Sequence, residues 1–256
     1  MWGISNSNYA GNMGIFLNPS TIVHAPYRYE LNLIAFDGFA ENNYFFSPRD
    51  RHFVPRTLFG GDVKERAFLP ETAAGYYDGF SHLLVIGPSY IRNHGDHAWG
   101  IHTALRASAS AQNFPEPLAR LLYERYGYAP YAGRKFESEK TLRSDIVSWY
   151  ELGGTYGRVV FDSEKHMLKW AVSGNLLIGT NALHLQADPI AYSVADTGTV
   201  IATDLDARLR YALDPEGSTL GNLLAPRGAG LGTTIGVTYF KPFYRGGFDC
   251  NRSNDR

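Results

Sequence analysis

An all-β fold of antiparallel strands crossing a lipid bilayer is predicted by three observations. Apolar and polar side chains alternate with a period of two, the alternation recurs along the chain, and aromatic residues are abundant. In Leu168 to Gly179 (LKWAVSGNLLIG), Leu168, Trp170, Val172, Gly174, Leu176 and Ile178 occupy one parity. Lys169, Ala171, Ser173, Asn175, Leu177 and Gly179 occupy the other. Successive strand side chains point to opposite faces, so one face is greasy and aromatic and the other small and polar. The repeats lie near the roughly 9–11 residues a tilted strand needs to span a bilayer. With 17 Tyr, 15 Phe and 4 Trp against 3 Met, the chain is rich in rings that settle where one end meets lipid and the other water. This pattern predicts an outer-membrane β-barrel.

Composition narrows the alternatives. A chain of 256 residues can bury a sizeable core in one large domain or two small ones. An apolar content of 44%, a mean hydropathy of -0.25 and a net charge of -1 fit a soluble globule or a barrel, whose strands dilute their own hydropathy. The apolar run Leu83-Leu84-Val85-Ile86 falls far short of a spanning helix, which needs about 18 residues. No long basic run marks a nucleic-acid footprint. Cys250 is the single cysteine, which excludes a disulfide framework and a Cys-rich metal site. Gly3, Ser5, Asn6 and Asn8 follow Met1 and Trp2 where a signal peptide would carry its apolar region. In an exported protein, the start is expected to be a mature end or an artefact of the reading frame.

Along the chain, residues 1–26 read as a plug-like segment. Gly11 to Ser20 combines turn glycines, a short apolar run and an Asn-Pro stop, suiting either an arm packed on a core or a small plug in a barrel mouth. Residues 27–240 carry the strands. Tyr27, Tyr29, Leu31, Leu33 and Ala35 alternate with Arg28, Glu30, Asn32 and Ile34, and a charge on the lipid side would cost about 2–4 kcal/mol at mid-membrane. Asn42 to Phe46 reads as a returning strand and 47–81 as an irregular connection broken by Pro48, Pro55, Gly60-Gly61, Pro70 and Gly75. A hairpin follows, with arms at 83–92 and 97–110 around Asn93-His94-Gly95-Asp96. Its second arm sets Trp99, Ile101, Thr103, Leu105 and Ala107 against Gly100, His102, Ala104, Arg106 and Ser108.

Pro115 to Tyr126 predicts a helix with Leu118, Leu121 and Leu122 on one stripe and Gly127 as its stop, and 128–144 an extended loop. Tyr150, Leu152, Gly154 and Tyr156 then oppose Glu151, Gly153, Thr155 and Gly157, and Asp162 to Lys165 turns into the Trp170 strand. Ile190 to Ala195, the turn Asp196-Thr197-Gly198 and the return from Thr199 to Leu213 suggest a further hairpin. Gly230 to Phe240 is the last strand, and 241–256 an atypical tail.

Several phrases in this order resemble one family: Ser7-Asn8-Tyr9-Ala10-Gly11 with Leu17-Asn18-Pro19-Ser20, Gly87-Pro88-Ser89, Pro115 to Tyr123, and Gly228 to Gly232 leading into Gly236 to Tyr239. The family is a group of Bacteroidota outer-membrane β-barrel proteins of unknown function, distantly similar to FadL-like fatty-acid-transporter barrels and to type IX secretion-associated barrels. The resemblance covers residues 1 to about 240 and implies no catalytic or binding residue. It also implies further strands beyond Tyr239, so the chain is expected to be the N-terminal part of a longer barrel, cut or frame-shifted near residue 241. An unclosed sheet in lipid would leave unpaired edge groups, each costing several kcal/mol.

Chemical readings of single motifs are weak. His94, Asp96, His97 and His102 could supply metal ligands, but their spacing reads as a hairpin tip plus one inward side chain. Gly228 to Gly232 precedes a strand and not a helix, so a dinucleotide loop fails. No Gly-x-Ser-x-Gly elbow is present, and no enzymatic activity or cofactor is expected. Parity points the charges Glu30, Arg106, Glu151, Lys169, Asp206, Arg208 and Arg210, with His102, toward a lumen. There they would either fill and rigidify the interior by pairing or select a solute. The expected protein is an integral outer-membrane barrel, a solute channel or a membrane-embedded subunit of an envelope assembly, with the bilayer and envelope proteins as partners. A secreted all-β sandwich used as a binding module is the alternative.

Overall fold

The computed structural model describes residues 11–44, 75–123, 129–163, 166–195, 200–212 and 225–241. It is mostly antiparallel β with two small helices. Six long runs follow one another as a meander. The first is β1 (Tyr29–Asn32) with β2 (Ala35–Asn42), and the second β3 (Tyr76–Ile86) with β4 (Ser89–Asn93). Then come β5 (His97–Pro115), β7 (Leu142–Ser163) and β8 (His166–Ala187), and finally β11 (Ala207–Ala212) with β12 (Gly228–Phe240). β5 pairs β4 over its first residues and β3 over the rest, while β8 pairs β12 and then β11. The sheet does not close on itself among the described residues: β1 and β2 lie at one edge, β11 and β12 at the other.

The alternation read from the sequence survives in the register. Trp99 lies opposite Tyr156, Tyr156 opposite Val172 and Val172 opposite Ile235, all on one face. His102, Gly153, Asn175 and Gly232 run across the other. The first face is bare: Leu231 is 87% and Ile235 72% exposed, with Leu31, Ile101, Leu152 and Tyr156 also exposed. The second face is covered by the N-terminal segment, whose helix α1 (Gly11–Gly14) and 3-10 turn (Pro19–Ile22) pack Ile15, Ile22 and Val23 against Ile91 and Ala98.

One-residue bulges decide where the parity holds. β7 and β8 slip at Ser148/Trp149 opposite Thr180, and again at Val159/Phe161. Beyond Thr180 the outward positions of β8 become Leu183, Leu185 and Ala187, and the strand runs 22 residues, like β7. At about 3.3 Å per residue that is roughly 70 Å, well past the 9–11 residues expected.

The extra length carries a cap. Helix α2 (Glu116–Tyr123) and a three-stranded sheet of β6 (Lys135–Glu137), β9 (Ala191–Val194) and β10 (Val200–Asp204) enclose Leu121, Tyr131, Leu142, Ala187, Ile190, Tyr192 and Val194. Leu185 packs against this core, so the cap covers the outward face at the strand ends. Glu116, fully buried, accepts from Tyr131 Oη at 2.6 Å and from Arg120 Nε at 3.0 Å. Burial, and secondarily the Glu116 carboxylate, pushes the Tyr192 phenol well above its ordinary value, and its hydroxyl has no partner among the described residues. A raised phenol pKa contributes stability that is complete below about pH 10 and declines above it. Tyr192→Phe is expected to leave the cap as stable at neutral pH, since the hydroxyl is unsatisfied, and to remove its alkaline melting. A pH titration of cap proteolysis in wild type and variant checks this.

Several boundaries differ from the sequence reading. After Leu33 the run continues as Ala35–Asn42, because parity reverses at Leu33 and Ile34 and resumes through Phe36; of the returning strand read over Asn42 to Phe46, Asn43 and Tyr44 lie past the end of β2 and residues 45–46 lie outside the described residues. Residues 76–81, read as irregular, belong to β3, where an irregularity at Asp78 absorbs the glycines. The helix runs over Glu116–Tyr123, and the loop at 128–144 holds β6 and the start of β7. The return from Thr199 splits, β10 pairing β9 in the cap and β11 joining β8. Residues 1–10, most of the 47–81 connection, residues 124–126 of the expected helix, the turn residues at 164–165 and 196–198, and the tail from 242 lie outside the described residues.

Candidate functional site

The covered face is where polar groups converge. His102 and Arg106 sit four residues apart on β5, hence on one face, and Glu151 of β7 lies opposite Ala104 between them. Arg106 Nε donates to Glu151 Oε2 at 2.9 Å, and His102 Nε2 stands 3.8 Å from Glu151 Oε1. Phe16 of the N-terminal segment closes the group, meeting the His102 ring edge-on with centroids 5.0 Å apart and lying 5.1 Å beneath the Arg106 guanidinium carbon. His102 is buried, and neither ring nitrogen has a hydrogen-bond partner among the described residues. Gly153 makes room for it: a Cβ there would collide with the His102 ring and with Asn175 Oδ1.

Around this cluster the segment is tied to both sheet edges. Glu30 on β1 accepts from Asn12 N at 3.0 Å and Asn12 Nδ2 at 3.1 Å. At the other edge Asn18 Nδ2 donates to Thr238 Oγ1 at 3.2 Å and Val237 O at 3.3 Å, and Ser20 Oγ lies 2.6 Å from Thr238 Oγ1. Lys169 Nζ donates to Val23 O at 2.8 Å, and Asn93 Nδ2 reaches Ile22 O and Ala25 O. Asn18 also caps the 3-10 turn, its Oδ1 accepting from Ser20 N at 3.1 Å, so the residue read as a stop is also an anchor.

The eight charges and rings singled out by parity therefore divide. His102, Arg106 and Glu151 form one cluster, and Glu30 and Lys169 hold the N-terminal segment. Asp206, Arg208 and Arg210 lie exposed near the cap, Arg208 opposite Gln186 and Arg210 opposite His184. His184 bonds Asp145 at 2.5 Å. The sequence reading missed Asn12, Phe16, Asn18, Ser20 and Asn175, because nothing in local alternation shows which distant side chain meets which. Among the described residues no group of three or more His, Cys, Asp or Glu is placed to hold a metal, and the His94 and His97 rings stack 5.0 Å apart. The chemistry available is recognition: the face binds the chain's own N-terminal segment.

A family model described as a family of unknown function, DUF5723, matches residues 75–242, well over half of the chain. The chain belongs to the DUF5723 family. The matched stretch of this DUF5723 protein runs from β3 through β12, taking in the His102, Arg106 and Glu151 cluster and the cap. No curated protein matches the chain, and no solved structure does.

Proposed function

We propose that this DUF5723 protein is an integral outer-membrane β-barrel protein whose interior is blocked by its own N-terminal segment. One observation carries the reading: the polarity of the sheet is inverted relative to a water-soluble fold. Apolar side chains such as Leu231, Ile235, Leu152 and Ile101 stand bare on one face, while Glu151, His102, Thr155 and Ser173 are buried on the other. A contiguous exposed apolar surface is costly in water and favourable against hydrocarbon. A soluble sandwich would lay a second sheet over that face, whereas the three-stranded sheet among the described residues packs at the strand ends.

The connections support an orientation. At one end β4 and β5 are joined by the tight turn at Gly95, φ +82, where Asn93 Oδ1 accepts from Gly95 N at 2.8 Å. The cap, the end of β2 and the start of β3 lie at the other end. Outer-membrane barrels have short periplasmic turns and longer external loops, a pattern that favours a cap outside the cell. Closure by further strands is part of the proposal, since each unpaired backbone group at an edge in lipid costs several kcal/mol. Kinship with Bacteroidota and FadL-like barrels rests on the motif order from Ser7 to Tyr239. With the plug seated, the protein is a gated channel or a membrane-embedded subunit of an envelope assembly, and not an open pore.

Outer-membrane fractionation of the full gene product, followed by electrophoresis of unheated and boiled samples, tests this. The expected result is recovery with the membrane and a band that shifts on boiling. Recovery in the soluble periplasmic or secreted fraction with no shift would discard the membrane reading in favour of a soluble binding module.

A further inference from the structure

We propose that the outward face at the tight-turn end binds the phosphate of an anionic phospholipid between Arg92 and Arg158. The inference rests on the membrane reading and adds a headgroup to it. Arg92 on β4 lies directly opposite Trp99, and Arg158 on β7 lies opposite both His97 and Trp170. Both arginines are exposed and share the parity of the apolar face, not that of the plug. β5 separates their strands, so the two Cα atoms stand about 12 Å apart from strand spacing and rise. That distance lets two guanidinium groups converge on one phosphate, with His97 and Trp99 between them.

The surroundings fit a lipid. Tyr90 packs on Trp99 with centroids 5.7 Å apart, and partly exposed rings stand beside both cations, Trp99 and Tyr156 on the row of Arg92 and Trp170 on the row of Arg158. Aromatic rings and cations sharing these two rows match the composition of the headgroup level of a membrane. Ile101 and Leu152 continue the face toward mid-membrane, where acyl chains would lie. Charge is one-sided. On the outward strand positions around these rows no described residue is Asp or Glu. Asp162 falls on the inward parity after the Val159/Phe161 slip, and Asp96 is in the turn. At the cap end, the outward strand positions of β7, β8 and β11 include Ser144, Ile146, Leu183, Leu185, Leu209 and Tyr211, and no arginine or lysine is among them.

The test is tryptophan fluorescence of the full chain in vesicles containing brominated phosphatidylcholine or brominated phosphatidylglycerol. Quenching by both, with phosphatidylglycerol effective at roughly fivefold lower mole fraction, is expected for wild type. Arg92→Gln/Arg158→Gln should equalise the two lipids, and Arg92→Lys/Arg158→Lys should keep part of the preference, which separates charge from misfolding. Equal quenching in wild type, or a preference that survives the Gln variant, overturns the headgroup site while leaving the membrane reading intact. Loss of the preference on adding millimolar inorganic phosphate assigns the arginines to a free anion and overturns the lipid. Absence of quenching by either lipid overturns both readings.

Discussion

Replacing Glu151 with alanine is expected to destabilise the protein by about 3–5 kcal/mol, the cost of leaving one partner of a buried ion pair unmatched. Glu151 is 6% exposed, and it alone among the described residues forms an ion pair with Arg106. The double variant Arg106→Met/Glu151→Leu should recover most of that loss, because paired removal of buried charges in favour of apolar groups is often neutral. Denaturant midpoints of the purified chain, followed by tryptophan fluorescence, measure both. Recovery in the double variant assigns the pair to filling the interior. A double variant as unstable as the single one would mean that the charges are needed for more than each other.

Gly157→Val should expel the N-terminal segment. A Cβ at Gly157 would stand 2.5 Å from Val23 Cγ2, 2.7 Å from Ala171 Cβ and 2.9 Å from Trp170 O. Ala171 and Trp170 belong to β8, hydrogen-bonded along its length, whereas Val23 belongs to a segment held by a few side-chain anchors. The segment therefore gives way. Overpacking of about 1–3 kcal/mol corresponds to roughly a 10–100-fold fall in hydrogen-exchange protection over residues 18–23. Gly154→Ala, where a Cβ meets nothing within 4 Å, serves as the neutral control. Unchanged protection in the valine variant would show that the segment is not seated against Gly157.

The legible part of the fold was the part governed by nearest neighbours. Trp170, Leu176 and Ile235 were assigned to one face and Ser173, Asn175 and Thr234 to the other by counting in twos, and the register of β8 with β12 keeps that division. The count fails wherever the backbone adds a residue. Thr180 marks one such slip, the Val159/Phe161 step another, and Asn113, at φ 55, falls within the slip between β3 and β5. None of these leaves a mark in hydrophobic alternation, so strand lengths and the ends of β2, β7 and β8 were misjudged. The cap was illegible for another reason: Leu121, Leu142, Tyr192 and Val194 form one core only once three separate segments meet. The site was half readable. Parity brought His102, Arg106 and Glu151 together, but Phe16 and Asn12 come from a segment with no strand pattern at all.

Asn18 and Val237 are 219 positions apart, yet they are joined by a hydrogen bond. The seat of the N-terminal segment includes Thr238 and Gly236, so it does not exist until β12 has been laid against β8. Contacts this remote in sequence form late, because the intervening chain must first surrender its freedom. A stretch synthesised ahead of every strand it packs against is thus among the last to settle, and Ile15, Ile22 and Val23 spend the interval without the cover they finally acquire. A folding intermediate that lacks β12 therefore leaves those three side chains open to water or to other chains.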